Sequence, residues 1–351
     1  MSVEATTPKE AAPQFAVSVI VPARNEEAAL GACLASLLVQ SEPGFALGRQ
    51  WELFVVDDHS TDGTAAIARQ AVAALQQAER AGVHLLQAPE LDLSQRGGFT
   101  GKTNACWAAA QRAQGRWLLF TDADTVHQPG DVSRSLHEAA KYKVALLSYS
   151  PRQLVSGLWQ RAVMPLVFSE LASVYPTRQI NDPENRLAAA NGQFLLVERE
   201  AYFAAGGHRA VGANVLEDVA LAENVKRARN GIRLRYAPDA LATRMYRSTA
   251  EMIEGWTKNL AVLMPSPLAL AFWRMLDLVL LLGLPPMAFL YPQHVPAQRA
   301  ILLLLWLRNV WRYFSRVARS NFSAVDVALS VVGLPLFVSL LLRSAIHHRI
   351  K

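Results

Sequence analysis

Cysteine is scarce in this chain. Its 351 residues include two, Cys33 and Cys106, and neither has a metal-ligand spacing. That excludes a disulfide scaffold and a zinc module, and both thiols read as small buried residues in a reducing compartment. Glycine-rich phosphate motifs are missing too. No Gly-x-Gly-x-x-Gly follows the first predicted strand, which disfavours a dinucleotide fold, and Gly101-Lys102-Thr103 lacks the upstream glycine of a phosphate loop. Residues 1–14 are polar and rich in Pro and Ala, with no apolar run, so they read as a flexible tail rather than a leader or an anchor. Acids are few near the other end. From Thr243 onward there are twelve Lys/Arg against four Asp/Glu, whereas the residues before it carry 23 against 25. The basic end is also the apolar, Trp-bearing end. That combination points to a membrane with anionic head groups and away from nucleic acid.

What is present is an alternation. Residues 16–22 form an apolar strand stopped by Pro22, and a helix is expected over 28–40. A strand over 51–58 ends in Asp57-Asp58, and His59-Ser60-Thr61-Asp62-Gly63-Thr64 turns into a helix over 65–80. A short strand at 83–86, a loop over 88–101 containing Arg96-Gly97-Gly98, and a helix over 102–114 follow. Then Trp117-Leu118-Leu119-Phe120 runs straight into Thr121-Asp122-Ala123-Asp124. Four apolar residues with no polar alternation read as a buried parallel strand. The order predicts a parallel sheet with helices on both faces, and the three acid-bearing strand ends then share one rim, where such sheets bind ligands. Paired carboxylates there suit a hard divalent cation, Mg2+ or Mn2+, and through it a diphosphate. The plainer alternatives stay open: Asp-x-Asp also closes strands, and Asn25-Glu26-Glu27 also reads as a helix start with acids in its first turn.

These segments, Val19-Ile20-Val21-Pro22-Ala23-Arg24-Asn25-Glu26-Glu27, Val55-Val56-Asp57-Asp58 with its turn, Gly101-Lys102 and Thr121-Asp122-Ala123-Asp124, resemble in order and spacing the motifs of family 2 glycosyltransferases. The resemblance implies a GT-A fold, that is, an α/β Rossmann-like nucleotide-diphospho-sugar transferase domain. It also implies a nucleotide-sugar donor, usually a UDP-sugar, and a divalent metal. Carried over by position, Pro22, Ala23 and Glu26 would line the nucleotide pocket and Asp58 would contact uracil or ribose. Lys102 would lie near the nucleotide, Asp122 would hold the donor and Asp124 would bind the metal.

Further strands are expected at 144–149 and 189–197, then a short helix at 198–205 closed by Gly206-Gly207. Residues 151–188, amphipathic and irregular, are expected to shape the acceptor site. Leu216-Glu217-Asp218 resembles the family's Glu-Asp motif, which makes Asp218 the candidate base. An acceptor hydroxyl attacking an anomeric carbon must lose its proton, and a carboxylate can take it. The alternative is a helix N-terminus carrying acids. Arg235–Pro238 reads as the last strand of a catalytic domain spanning 15–250. In the interfacial linker 251–267, Trp256 sits where processive members carry Gln-x-x-Arg-Trp, but Gly255 stands in place of the Arg. Glu217 and Trp256 are acceptor candidates, and Trp256 reads equally as a membrane-interface residue.

The region 268–351 reads as membrane-associated helices. Residues 268–291 and 324–342 are long and apolar enough to cross a bilayer, and Arg274 and Asp277, three apart, can pair on one face. Residues 300–307 are greasy but short, and 308–319 form a basic interfacial stretch. The expectation is two spans plus an interfacial or re-entrant segment on a catalytic domain facing the cytoplasm at the inner membrane. Within the family, Asn191-Gly192-Gln193-Phe194, the Leu-Glu-Asp motif and Glu254–Asn259 are similar to bacterial hopene-associated and ceramide-type enzymes. That similarity implies a lipid acceptor, with hopanoid, sphingoid, polyprenol and carotenoid lipids all open. The alternatives are a processive polysaccharide synthase and a catalytically dead nucleotide-sugar-binding scaffold.

Overall fold

The computed structural model describes residues 14–40, 42–91, 98–290 and 296–350. Residues 1–13 of the expected tail and residues 92–97 of the expected loop fall outside the described residues. The chain divides into two compact units, Met1–Arg152 with Ile180–Thr243, and Gln153–Gln179 with Arg244–Lys351.

In chain order the elements begin β1 (Phe15–Ala23), α1 (Leu30–Leu38), β2 (Trp51–Asp57), α2 (Thr64–Ala73), α3 (Gln77–Arg80) and β3 (Val83–Gln87). They continue α4 (Gly101–Arg112), β4 (Gly115–Phe120), β5 (Thr125–His127), α5 (Asp131–Tyr142), β6 (Leu146–Ser150), β7 (Arg152–Gln153), α6 (Gly157–Val174) and α7 (Thr177–Ile180). Next come β8 (Leu195–Glu198), α8 (Arg199–Ala204), α9 (Gly207–Val211), α10 (Glu217–Arg227), β9 (Ile232–Tyr236) and β10 (Leu241–Thr243). The last helices are α11 (Thr249–Leu263), α12 (Pro267–Leu290), α13 (Pro296–Val317) and α14 (Ala324–Ile350).

The first unit is built on a seven-stranded sheet in the order β3-β2-β1-β4-β8-β6-β9. The expected parallel block is there: β1 pairs in parallel with β2 and β4, and β2 with β3. One strand breaks the pattern. β8 runs antiparallel to both β4 and β6, with Phe120 opposite Leu195. The chain entering β8 therefore arrives on the rim where β1, β2 and β4 end. β1 and β2 bury nearly every side chain on both faces and β4 its Leu118-Leu119-Phe120, as their largely apolar runs required, with Ser18 and Glu52 buried as a pair in which Ser18 Oγ donates to Glu52 Oε1 at 2.6 Å. Their core takes in Val19, Leu53, Leu119, Phe194 and Leu196 with Leu30, Leu34 and Leu37 of α1. Each such side chain contributes roughly 1.5–3 kcal/mol on burial. A second sheet, in the order β5-β10-β7, adds a strand after the expected last one, and β10 pairs antiparallel with β5.

Local differences have local causes. The helix expected over 65–80 breaks after Ala73, because Gln76 is extended and restarts α3 as its N-cap, its N–H donating to Glu79. The strand expected from Ala189 begins only at Leu195. Side chains capture the backbone before it: Asn191 N–H donates to Ser148 Oγ, and Gln193 N–H to Asn191 Oδ1.

The second unit is helical. Its core joins Val163 and Leu166 of α6, Met252, Trp256 and Leu260 of α11, Leu281 of α12, Tyr313 of α13 and Phe337 and Leu341 of α14. Most of the expected linker 251–267 is the helix α11. The greasy stretch 300–307 and most of the basic stretch after it form one helix, α13. Arg274 does pair with Asp277, at 2.7 Å. Asp277, almost fully buried, also takes Arg312 at 2.6 Å and Arg316 at 2.9 Å, tying α12 to α13. α12 and α14 are long and apolar enough to cross a membrane by length and composition.

Candidate active site

Register puts Ala23 level with Asp57, and Asp57 level with Gln87. The segments leaving β1 and β2 are consequently laced together. Asn25 N–H donates to Ser60 Oγ at 3.0 Å, Glu26 N–H to Thr64 Oγ1 at 2.8 Å, and Glu27 N–H to Asp62 Oδ2 at 3.2 Å. Asn25 and His59 take left-handed backbone, with φ of 55° and 56°, which asparagine tolerates well. Asn25 is not a helix cap here. α1 starts at Leu30, and the Asn25 side chain accepts from Thr61 N–H. Pro22 and Ala23 are the last two residues of β1, buried, with Glu26 three residues beyond.

Asp58 is buried beside Ala23, its N–H donating to the Ala23 carbonyl at 2.8 Å, and Arg24 Nη1 reaches its Oδ2 at 3.3 Å. Its carboxylate lies against Gly101, the first residue of α4. A Cβ there would stand 2.0 Å from Asp58 Oδ2, so only glycine lets the two approach.

Thr121 N–H continues the β4 ladder onto the Ile20 carbonyl, and the chain then turns through Asp122-Ala123-Asp124. A buried relay supports the turn. Thr121 Oγ1 donates to the Gln193 carbonyl at 2.8 Å and meets His127 Nε2 at 3.0 Å, and His127 Nδ1 meets Asp131 Oδ2 at 2.7 Å. Thr243 of β10 donates to the Asp124 carbonyl at 3.3 Å.

Lys102, the second residue of α4, draws the remaining candidates together. Its Nζ lies 2.7 Å from Asp122 Oδ1 and 3.1 Å from Glu217 Oε1. Asp218, beside Glu217 at the start of α10, accepts from Gly192 N–H and Val219 N–H, each at 2.8 Å. A Cβ on Gly192 would be 3.1 Å from Lys102 Nζ and 3.6 Å from Asp218 Oδ2. Asp122, Lys102, Glu217, Gly192 and Asp218 are thus one cluster, assembled from β4, α4, the entry to β8 and α10.

Acids outnumber cations here, and their protonation shows it. Burial, with the charges of Asp122 and Glu26, pushes the Asp124 carboxyl up to about 7. Burial and Glu217 push Asp218 up to about 6, against Lys102 and the two N–H donors. Burial works to lower the Lys102 pKa, but Asp122 and Glu217 outweigh it and hold the ammonium well above its ordinary range. Burial raises the Cys33 thiol too, leaving it inert next to the Asp122 carbonyl. Among the described residues no group of three or more His, Cys, Asp or Glu side chains is arranged to hold a metal ion. The donor chemistry still fits one. Mg2+ is commonly held by one or two carboxylates with phosphate and water completing the shell, and Asp124 is an under-neutralised carboxylate beside two more acids.

Trp256 belongs to the helical unit and is enclosed there. Its Nε1 donates to Met164 Sδ at 3.3 Å, and its ring meets Tyr246 edge-on. Gly255 packs on the same tyrosine: a Cβ would lie 2.6 Å from the Tyr246 hydroxyl oxygen. Sequence reasoning did not single out Gly192, Thr243, Arg24 or the His127–Asp131 pair as site residues. Only the last left a local trace, a His and an Asp four apart just after Asp-x-Asp.

The family model described as Glycosyl transferase family 2 matches residues 18–203. Among curated proteins, the 4,4'-diaponeurosporenoate glycosyltransferases of Staphylococcus aureus strains MRSA252 and USA300 are 27% identical over 251 residues, 70% of this chain. The chain spans 61% of the length of those relatives. Among solved structures, a mannosyltransferase from Pyrobaculum calidifontis in complex with GDP-Man and Mn2+ aligns over 95% of this chain and 88% of its own, at 18% identity and TM-score 0.48. S. aureus TarS 1-349 in complex with UDP-GlcNAc aligns over 93% and 92%, at 14% identity and TM-score 0.45.

Proposed function

Because the chain belongs to glycosyl transferase family 2, we propose that it moves a sugar from a nucleotide-diphosphate donor to a lipid acceptor at a membrane face, with inversion at the anomeric carbon. A UDP-sugar is the first donor to test. One observation carries the reading: Lys102 bridges Asp122 to Glu217, which seats Asp218 next to the rim where β1, β2 and β4 end.

The roles follow from placement. The laced loops after β1 and β2, with Pro22, Ala23 and Glu26, wall the nucleotide, and Asp58 receives the uracil or ribose. Asp122, held by Lys102, orients the donor. Asp124 would hold Mg2+ or Mn2+, which when bound stabilises charge on a departing diphosphate. Asp218 takes the proton of the acceptor hydroxyl as its oxygen attacks the anomeric carbon, and the bond to the nucleoside diphosphate breaks on the opposite face. A carboxyl raised to about 6 suits this work, being mostly ionised at neutral pH and a stronger base than an ordinary aspartate. Glu217 anchors Lys102, and Trp256 serves packing.

Two apolar helices of spanning length support a membrane tether. The names of the S. aureus relatives support a lipid-like acceptor. Hopanoid and sphingoid alcohols belong in the same assay. Gly255, standing where processive members carry the Arg of Gln-x-x-Arg-Trp, favours single transfer over polymer synthesis. The bound side is proposed to be the cytoplasmic face of the inner membrane, where nucleotide-sugars and the basic stretch of α13 would both lie.

The test is transfer from a panel of labelled nucleotide-sugars to a bacterial lipid extract, with Mg2+ or Mn2+ and with chelator. A metal-dependent glycolipid of one added sugar is expected. A long water-soluble polymer, or no transfer from any donor, would overturn the reading.

A further inference from the structure

α13 has two unlike faces. One face is built into the helical unit through buried Asn309, Tyr313 and Val317, with Trp306 Nε1 donating to the Leu281 carbonyl and Arg316 on Asp277. The other face is open, and it changes character along its length. Ile301, Leu304 and Leu305 are exposed in its first half. Arg308, Trp311 and Arg312 follow on the same side, and Arg319 lies just beyond the helix end. At 100° per residue these positions share one side of the helix, and Ile301 to Arg312 covers about 16 Å of its axis. Trp311 is 72% exposed. Arg308 and Arg319 make no ion pair among the described residues, and Arg312, pinned on one edge by Asp277 at 2.6 Å, keeps half its surface open.

From this arrangement we infer that the open face of α13 is a docking surface for anionic phospholipid. Its leucine half sits at the acyl chains, and Trp311 with Arg308, Arg312 and Arg319 sits at the phosphate level. The apolar half is far shorter than the roughly 30 Å hydrocarbon core, and Arg312 holds Asp277, near the middle of α12, at its own level, so α13 and the part of α12 after Asp277 enter the bilayer together from one side without crossing, and α14 carries the span. Tryptophan and arginine together are the side chains that hold a helix at that depth. Charge complementarity selects the lipid: three guanidinium groups on an open stripe, with no acid between Asp277 and Asp326, face a surface that must be negative. The inference rests on the membrane tether proposed above and adds which lipid and which face.

The test uses full-length protein purified in a neutral detergent and supplied with phosphatidylglycerol and phosphatidylcholine in equal amounts. Lipid retained per protein is counted by mass spectrometry. The expected result is preferential retention of phosphatidylglycerol. With about 1 kcal/mol per arginine at 1.4 kcal/mol per tenfold, Arg308→Gln with Arg319→Gln should cost roughly thirty-fold in that preference. Arg308→Lys with Arg319→Lys should restore most of it, which a folding defect would not allow. Equal retention of the two lipids would overturn the inference and leave the tether standing. Retention of neither would overturn both. If soluble glycerol phosphate displaces the bound phosphatidylglycerol at comparable concentration, the site takes a free anion, and the lipid-surface inference is overturned.

Discussion

Asp218→Asn should make the protein more stable while abolishing transfer. Asp218 is held by burial and by Glu217 at a pKa of about 6, above its ordinary value of 3.8. A carboxyl raised on folding binds protons more tightly in the folded state, so stability falls as pH rises between about 4 and about 6 and stays lowered above that. Two units at 1.36 kcal/mol each set a ceiling of about 3 kcal/mol at neutral pH. Part of this is returned in the variant, because an amide oxygen replaces the carboxylate as acceptor for the Gly192 and Val219 N–H groups. A net gain of roughly 1–2 kcal/mol remains, or about 2–6 °C in melting temperature for a unit of this size. The assay is thermal unfolding of both proteins in detergent from pH 4 to pH 8. The variant should gain on the wild type across pH 4–6 and hold a constant lead above it. In parallel, donor affinity should survive and transfer should fall below detection. A variant that melts lower at pH 8, or a difference independent of pH, would refute the strain reasoning. An equal collapse of donor affinity would refute the base role.

Other perturbations separate the remaining roles. Asp124→Asn should lower metal-dependent turnover by about 10²–10³-fold while the far-UV spectrum holds and the melting temperature at neutral pH rises, because burial, Asp122 and Glu26 hold this carboxyl up as well; wild-type rates would remove Asp124 as the metal ligand. Gly101→Ala drives a methyl into the Asp58 carboxylate, so donor dissociation constants measured by calorimetry should rise at least tenfold with little change in fold. His127→Phe leaves Asp131 buried without its partner and frees Thr121. Chemical denaturation should show a loss of about 2–4 kcal/mol, and donor KM should rise more than kcat falls. The pH–rate profile of transfer should have an acid limb near pH 6, because a protonated Asp218 cannot accept the hydroxyl proton.

The parallel half of the sheet was legible because β1, β2 and β4 carry largely apolar runs that lead into Pro22, Asp57 and Asp122. Their acids then fall on one rim for any sequence with that order. The antiparallel β8 was not legible. Its residues 195–197 look like any buried strand, and direction is set by pairing with β4 and β6, which no local pattern encodes. That reversal is what brings Gly192 to Asp218, so a backbone donor essential to the cluster was invisible in the sequence. Likewise Lys102 read as a residue near the nucleotide, while its bridge from Asp122 depends on a contact with Glu217, more than a hundred positions away. In the helical unit, α13 was split into a greasy piece and a basic piece because its composition changes midway. The helical period runs through both without interruption.

The central claim is that acids from separate segments form one donor and metal site. The most direct measurement is a diffraction experiment on crystals grown with Mn2+ and UDP, locating Mn2+ by its anomalous signal. The account predicts one strong peak in direct contact with a carboxylate oxygen of Asp124, with the diphosphate beside it and the uracil or ribose near Asp58. A peak elsewhere, or UDP bound away from the rim where Asp58, Asp122 and Asp124 stand, would contradict it.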